Sequence, residues 1–584
     1  MDEINELIDN YSIESLENCL QCDKKIQTSE LYSTYKICHN CNFHFYIKPY
    51  ERISLLTDRE SYVEFNQELP DEFNYIYDKY PDYAKRAQKD TDRTGLNDSV
   101  LTGYASIGGN RCILIILDFS FMGGNLGLIS GEKISLAIDL AVSKKLPIVS
   151  IISSSGTRFE EGMISIMQMA KITLSMANAK KSNIPSISLL TNPCTGQAYA
   201  TLAAFSDIIM SEPGASVGLS PLKDLKHSSG SVEFETRTSD ALISRGLIDS
   251  IVNRNHQKEE ISKIIDLMGN RHKLVYENKN DKVNEFALSD TPIDKREYIS
   301  QHPSRPSASL FLNKVFEHFF ELKGDRLLEN SERIVTGLAQ LGGQTVMLVA
   351  QEYIKDANSS IGKYGLSSTD FRKCTRAISL ASRFNIPIIT FIDTKGHDLS
   401  YEEEIKGIGV SLGDTLLSMA ELNSPSMSVL IGVGGSEAAL SLDISDRRLM
   451  LENAILKIAD NNTDSNNENM VLGAKECKEL DIVDIIVPEP IGGLHLNPDE
   501  CFSLLRKVLM IELAGLNRLS SRSRFRSKYN KFRGIPGVNN NILADLTNDV
   551  LSVKSKFADY INIKLGKNKQ GEKNLVIFYD TTYL

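Results

Sequence analysis

The chain has 584 residues, 41% of them hydrophobic and 24% charged, an ordinary balance for a folded soluble protein and not for a disordered one. A formal net charge of −11 argues against a general nucleic-acid binder, whose polyanionic partner rewards the opposite sign. With no run of about 18 uncharged apolar residues and an acidic start, Met1-Asp2-Glu3, neither a membrane span nor a secretory signal is expected, and the default is a cytoplasmic enzyme.

A polar lead-in precedes four cysteines, Cys19, Cys22, Cys38 and Cys41, spaced C-x2-C-x15-C-x2-C. That spacing predicts a zinc ribbon, in which two knuckles supply four thiolates tetrahedrally. Four thiolates leave no open coordination position, so the metal is expected to staple a cap and not to catalyse. Phe43, Phe45 and Tyr46 are available to pack beneath it, and the other five cysteines stand singly. Residues 51–100 form a mixed, Asp- and Tyr-rich approach.

From Leu101 onward, short β-branched runs alternate with amphipathic helices and glycine turns. Strands are predicted at 113–117, 148–152 and 187–190, with a long helix carrying Met163, Ile164, Met167, Ala170 and Leu174 at near-helical spacing. The same grammar returns later. Ile184-Pro185-Ser186-Ile187 aligns with Ser424-Pro425-Ser426-Met427, and Leu146-Pro147-Ile148-Val149 with Ile386-Pro387-Ile388-Ile389, both at an offset of 240 (184 to 424, 146 to 386). So long a period excludes a solenoid and predicts two copies of one α/β domain, each a covered, largely parallel sheet. Strands of the second copy are expected at 346–349, 388–392 and 427–431, beyond a polar linker at 268–300.

The turns carry the candidate chemistry. Gly123 and Gly124 follow a strand and precede a helix, where glycine lets backbone approach a ligand. Ser153-Ser154-Ser155-Gly156-Thr157-Arg158 ends the next strand. No histidine lies near in sequence to activate a serine, so backbone-amide presentation is the better reading. Thr195-Gly196-Gln197-Ala198 and Gly434-Gly435-Ser436-Glu437-Ala438 each place successive N–H groups at a helix start, suited to polarising a thioester or urea oxygen. The second resembles a dinucleotide fingerprint, but Glu437 stands where the last glycine belongs and would repel a pyrophosphate; no GxxxxGK[ST] loop occurs either. Arg518, Arg522, Arg524, Arg526, Lys528, Lys531 and Arg533 form a basic run that either grips an anionic cofactor or is a solvated helix face, the commoner case.

Together these residues resemble the carboxyltransferase component of bacterial-type acetyl-CoA carboxylase, its β subunit (roughly 15–270) fused ahead of its α subunit (roughly 285–535). The β-like marks are the ribbon, Phe121-Met122-Gly123-Gly124, Ser155-Gly156-Thr157-Arg158, Met167-Gln168-Met169-Ala170-Lys171 and Ser211-Glu212-Pro213. The α-like marks are His302-Pro303-Ser304-Arg305-Pro306, Gly324-Asp325-Arg326, Pro387 through Thr394, and Val487 through Gly493. The resemblance implies two tandem crotonase-like spiral domains, an acyl-CoA held by the β-like half and carboxybiotin by the α-like half. It implies domains at 1–50 (lead-in and ribbon), 51–267, 301–535 and a C-terminal extension at 536–584. It also implies a homodimer, and a biotin carboxyl carrier protein and biotin carboxylase as separate partners, because the chain shows neither a biotinylation motif nor an ATP-binding carboxylase domain.

On the resemblance, the catalytic groups are the turns Gly196-Gln197 and Glu437-Ala438, where the family carries Gly-Gly pairs, with His397 nearby. Substrate contacts are expected from Gly123, Gly124, Gly156, Thr157, Arg158, Gly434 and Gly435. The α-like half departs further: Lys395-Gly396-His397 replaces Pro-Gly-Ala, a basic loop retains only Lys355, and 459–467 stands where the family has Ser-Pro-Glu-Gly. Two alternatives to a working carboxyltransferase follow from those departures. One is a biotin-independent enzyme acting on a CoA- or carrier-bound acyl thioester as decarboxylase, hydrolase or acyltransferase; the other is a non-catalytic regulatory or scaffold protein using the ribbon for RNA or protein contact.

Overall fold

The structure, a computed structural model, describes residues 17–27, 29–67, 75–220, 234–275, 288–289, 291–327, 329–353, 365–458 and 471–535. The segment around Lys355, residues 459–467 and the extension beyond 535 lie outside the described residues.

Two mixed sheets organise the chain. The first contains β1 (Val63–Phe65), β2 (Val100–Ile107), β3 (Asn110–Leu117), β4 (Ile148–Ser154), β5 (Ser186–Thr195), β6 (Ile208–Ser211), β7 (Val217–Gly218) and β8 (Ser250–Ile251). The second contains β9 (Glu317–Leu322), β10 (Ile334–Leu341), β11 (Gln344–Gln351), β12 (Ile388–Thr394), β13 (Ser426–Gly435), β14 (Arg447–Leu451), β15 (Ile455–Lys457), β16 (Val471–Gly473) and β17 (Ile485–Val487). In each, an antiparallel hairpin (β2/β3, β10/β11) leads into a parallel run, β3-β4-β5-β6 or β11-β12-β13-β14.

Both faces of the first sheet are buried, which its near-continuous apolar strands require. Side chains alternate along a strand: Ile113, Ile115 and Leu117 of β3 enter one core, while Leu114 and Ile116 enter a second core shared with the other half. The helices that matter below are α1 (Leu128–Lys144), α2 (Met163–Lys181), α3 (Gln257–Gly269), α4 (Ser368–Phe384), α5 (Ile408–Ala420) and α6 (Ser521–Gly534).

Two strand predictions end too early. β5 runs to Thr195 and β13 to Gly435, past the apolar runs that signal them. Each changes partner part-way: β5 pairs β6 through Ile187–Leu190 and then β7 at Cys194 and Thr195, and β13 likewise passes from β14 to β15. The polar extension stays extended because a third strand hydrogen-bonds it, a contact that local hydrophobicity does not encode.

The stripe on α2 also differs from a core stripe. Met163, Met167 and Leu174 face outward, while Ser165, Gln168, Ile172, Ser175, Met176 and Ala179 are buried. Near its start α2 packs closely on α1, where a Cβ on Gly131 of α1 would lie 2.5 Å from the Gln168 Oε1, and farther along Ile172 and Met176 enter the core.

Buried ion pairs join the halves. Asp249 accepts from Arg376 at 2.9 Å and from Arg326 at 2.5 Å, and Arg383 reaches Asp207 at 2.6 Å. Gly246 and Gly324 meet so closely that a Cβ on Gly246 would stand 2.3 Å from the Gly324 Cα. The basic run is divided between a docking face and a solvated one. On α6, Arg524 and Lys528 are buried and donate to the carbonyls of Asn423 and Met419, and Lys531 pairs with Asp484, so these cations dock the helix; Arg522 and Arg526 remain exposed.

Candidate active site

Each half builds the same turn. Strand β5 delivers Gly196 (φ +68°) at the start of a short helix, Gly196–Ala198. The loop after β4 brings Gly156 (φ +128°) against it; a Cβ on Gly196 would lie 2.5 Å from the Gly156 Cα, so glycine is required for the approach. Ser154 Oγ accepts from Gly156 N at 3.1 Å, and Gln197 Nε2 donates to Thr157 Oγ1 at 2.7 Å. Gln197 is only 3% exposed, and Thr157 is bridged in parallel to Leu126.

Adding 240 to each number reproduces the arrangement in the second half. Thr394 Oγ1 accepts from Gly396 N at 3.2 Å, and Leu366 bridges His397 as Leu126 bridges Thr157. β12 and β13 pair Thr394 with Gly434 as β4 and β5 pair Ser154 with Cys194. This register corrects the sequence alignment of the turns. Ser436-Glu437, and not Glu437-Ala438, is the counterpart of Gly196-Gln197, and Ser436 holds the left-handed conformation at φ +46°. A non-glycine residue there carries about 1–3 kcal/mol of strain, the kind that accumulates at functional turns. His397 Nδ1 lies 3.7 Å from Glu437 Oε2, the pair standing where Thr157 and Gln197 stand in the first half.

The leading amides of a helix have no intrahelical acceptor one turn behind them, and neither short helix makes a side-chain cap hydrogen bond. Gly196 N donates to the Leu219 carbonyl at 2.9 Å. Gly123 (φ +68°) and Gly124 (φ +65°) press on the same loop: a Cβ on Gly124 would meet the Ser153 carbonyl oxygen at 2.1 Å, and Ser155 N donates to Gly123 O at 2.9 Å. Gly435 packs equally closely on Lys395, its would-be Cβ 2.2 Å from the carbonyl carbon, and Gly434 borders a cavity of about 340 Å3 shared with Ser436, Leu456, Arg448 and Phe532.

Arg158 is the clear exception among the expected substrate contacts. It is 0% exposed, bonded to Asp98 at 2.8 Å, to the Asn125 carbonyl at 2.9 Å and to Tyr83 Oη at 3.0 Å. A guanidinium so placed anchors the Gly156 loop from beneath and does not meet a ligand. No sequence signal separated this use of arginine from anion binding, because burial is a tertiary property.

The four cysteines converge. Their sulfurs lie within 4.8 Å of one another, with Cys19–Cys41 at 3.6 Å and Cys22–Cys38 at 3.7 Å. Zn–S bonds of about 2.3 Å in a tetrahedron require sulfurs about 3.8 Å apart, so the donor set fits. Phe43 and Phe45 pack under it edge to face, while Tyr46 turns away to Asp118. The cap is fastened through Glu212, whose carboxylate binds Arg52 at 2.7 Å and Arg254 at 2.9 Å; those two cations hold it well below the usual carboxylate range. Arg254 in turn donates to the Tyr35 carbonyl of the ribbon at 2.8 Å.

Comparison with known proteins agrees with this geometry. Residues 251–536 match the family model described as acetyl co-enzyme A carboxylase carboxyltransferase-like. The acetyl-coenzyme A carboxylase carboxyl transferase subunits beta/alpha of Clostridium tetani is 32% identical over 535 residues, covering 88% of this chain and 92% of that protein. The chain belongs to the acetyl-CoA carboxylase carboxyltransferase family. Its first half alone is similar to the carboxyl transferase subunit beta of Desulforamulus reducens, 36% identical over 252 residues, 43% of this chain and 86% of that one. Among solved structures, transcarboxylase 12S in a form with hydrolysed methylmalonyl-coenzyme A shares the fold, with a TM-score of 0.62 at 17% identity over 81% of this chain and 90% of that one. The two halves are thus crotonase-like. Several family marks turn out to be fasteners: Glu212 holds the cap, Asp325 and Arg326 sit at the junction of the halves, and Arg305 grips Glu489 at 3.0 and 2.5 Å.

Proposed function

We propose that this chain moves a carboxyl group from biotin on a separate carrier protein to acetyl-CoA, giving malonyl-CoA. The observation that carries the reading is the end-to-end likeness to fused beta/alpha subunits together with two superposable amide-bearing turns, one per half. In the first half, the amides of Gln197 and Ala198 stabilise the thioester oxygen as it gains enolate charge, with Gly123, Gly124, Gly156 and Thr157 shaping the approach. In the second half, the turn from Gly434 to Ala438 receives the ureido oxygen. Backbone amides suit this chemistry because they are preorganised and stay fixed while charge develops. The N–carboxyl bond breaks, the bond to the α-carbon forms, and the α-proton passes to the ureido nitrogen.

The cysteine quartet holds structural zinc in this reading, and the carrier and its biotin carboxylase are separate partners. A homodimer is supported by exposed apolar side chains on the loop and helix that follow the second parallel strand of each half: Phe159, Met163, Met167 and Leu174 in the first, Leu399, Tyr401, Val410 and Leu417 in the second. The nucleic-acid role has no support from an acidic chain whose ribbon is fastened to its own first half. No helix among the described residues is long and apolar enough to cross a membrane.

The test is the reverse reaction, malonyl-CoA with biocytin as acceptor. Biocytin-dependent formation of acetyl-CoA is the expected result. Loss of malonyl-CoA that ignores biocytin would establish a biotin-independent thioester enzyme instead, and no turnover of either kind would refute both.

A further inference from the structure

The equivalent turns differ in one respect that the fold does not demand. Where the first half closes on a buried neutral pair, Gln197 to Thr157, the second carries Glu437 and His397, their side chains 60% and 29% exposed. Glu437 lies in the first turn of the helix Ser436–Leu440, beside the amides that receive the ureido oxygen. A carboxylate there favours the helix itself. It opposes any negative charge that develops on a ligand at the same amides, since like charges a few ångströms apart repel.

The other charges packed around the pair are engaged elsewhere. Asp393 accepts from Val433 N at 2.9 Å, Asp398 from Ser400 N at 2.8 Å, Lys457 pairs with Glu297 at 2.8 Å, and Lys395 lies over the Tyr353 ring at 5.1 Å. Among the described residues, His397 is the one cation-forming group with an ion-pair distance to Glu437.

We propose that His397, paired with Glu437 at 3.7 Å, offsets the charge of that carboxylate and thereby keeps the second-half turn able to hold an anionic oxygen. The inference rests on the reading that this half receives carboxybiotin. His397 is a positioning and charge-compensating residue in it, and no proton is transferred. The first half leaves its turn uncharged with Gln197 and Thr157, and the second reaches a comparable balance with two opposed side chains.

The test uses the full chain in the malonyl-CoA and biocytin reaction, with kcat and both KM values for the wild type, His397→Gln, Glu437→Gln and the double variant. His397→Gln uncovers the carboxylate and lowers kcat about tenfold, the effect of one partly screened charge. Glu437→Gln raises kcat severalfold, because no carboxylate then opposes the charge developing at the turn. The double variant recovers to within about threefold of the wild type, since two neutral side chains leave the turn without net charge. The KM for malonyl-CoA stays constant throughout, reporting an intact first half, and 0.5 M salt shrinks the His397→Gln defect. A double variant as slow as His397→Gln overturns the proposal in favour of a hydrogen bond from His397 itself. A double variant slower than either single overturns it in favour of a structural latch. Absence of biocytin-dependent turnover in the wild type refutes the carboxyltransferase reading and the pair's role with it, whereas wild-type turnover without recovery refutes the pair alone.

Discussion

Replacing Gly196 by alanine isolates what the close approach of the two first-half loops contributes. The new methyl would sit 2.5 Å from the Gly156 Cα, against an ordinary contact of 3.4–4 Å. Its neighbour is backbone, so no rotamer change relieves the clash, and the loops must separate by about 1 Å. The residue is also at φ +68°, where a side chain costs about 1–2 kcal/mol. Gly95→Ala supplies the control, because Gly95 has nearly the same φ, +72°, with nothing within 4 Å of a would-be Cβ. Both variants should lose similar stability in urea, with the clash adding to the loss for Gly196→Ala. They should part in turnover: a displacement of about 1 Å in reacting geometry is worth roughly a hundredfold in rate. Gly196→Ala is therefore expected to lose about two orders of magnitude in kcat for the malonyl-CoA and biocytin reaction, and Gly95→Ala less than about twofold. If Gly196→Ala keeps kcat within threefold, or if Gly95→Ala falls as far, the reasoning from the glycine contact is wrong.

Three further outcomes are expected. Cys38→Ser should lower metal content from about one zinc per chain to near zero, read by elemental analysis, and render the first 50 residues sensitive to protease; an unchanged zinc content would refute the four-thiolate site. Burial pushes the Asp443 carboxyl up to about 6, above its value near 3.9 in an unfolded chain, so the stability it contributes is full below about pH 4 and is lost as pH rises through 6. Asp443→Asn keeps an acceptor for Ser428 and should therefore exceed the wild type at pH 8 by up to about 3 kcal/mol while matching it near pH 4; urea midpoints across pH decide, and equal midpoints at pH 8 refute it. Leu174→Asp and Val410→Asp should each convert a dimer to a monomer in sedimentation, and a monomeric wild type would refute the covered face.

Much of the fold was legible because its signals are local. The spacing of Cys19, Cys22, Cys38 and Cys41 reports knuckle geometry, and the β-branched runs at 113–117 and 388–392 report buried strands. Residue by residue, the offset of 240 pairs Thr157 with His397 and Gln197 with Glu437, whereas the local Gly-rich pattern of the second turn places the match one position later, at Ala438.

By itself the sequence determined the class of the protein, a duplicated α/β chain with a four-thiolate cap, because periodicity and ligand spacing are properties of neighbours along the chain. Only the tertiary structure decided what the individual side chains do. Arg158 became an anchor because Asp98, Tyr83 and the Asn125 carbonyl surround it, and Arg524 and Lys528 became fasteners because α6 lies against Asn423 and Met419. The face of α2 that carries Met163, Met167 and Leu174 turned outward because the core takes the face with Ile172, Met176 and Ala179, together with Gln168 pressed against Gly131 of α1. A charge or an apolar stripe has no fixed role until the elements that bury or expose it are in place, since burial decides whether it meets a partner, a ligand or water.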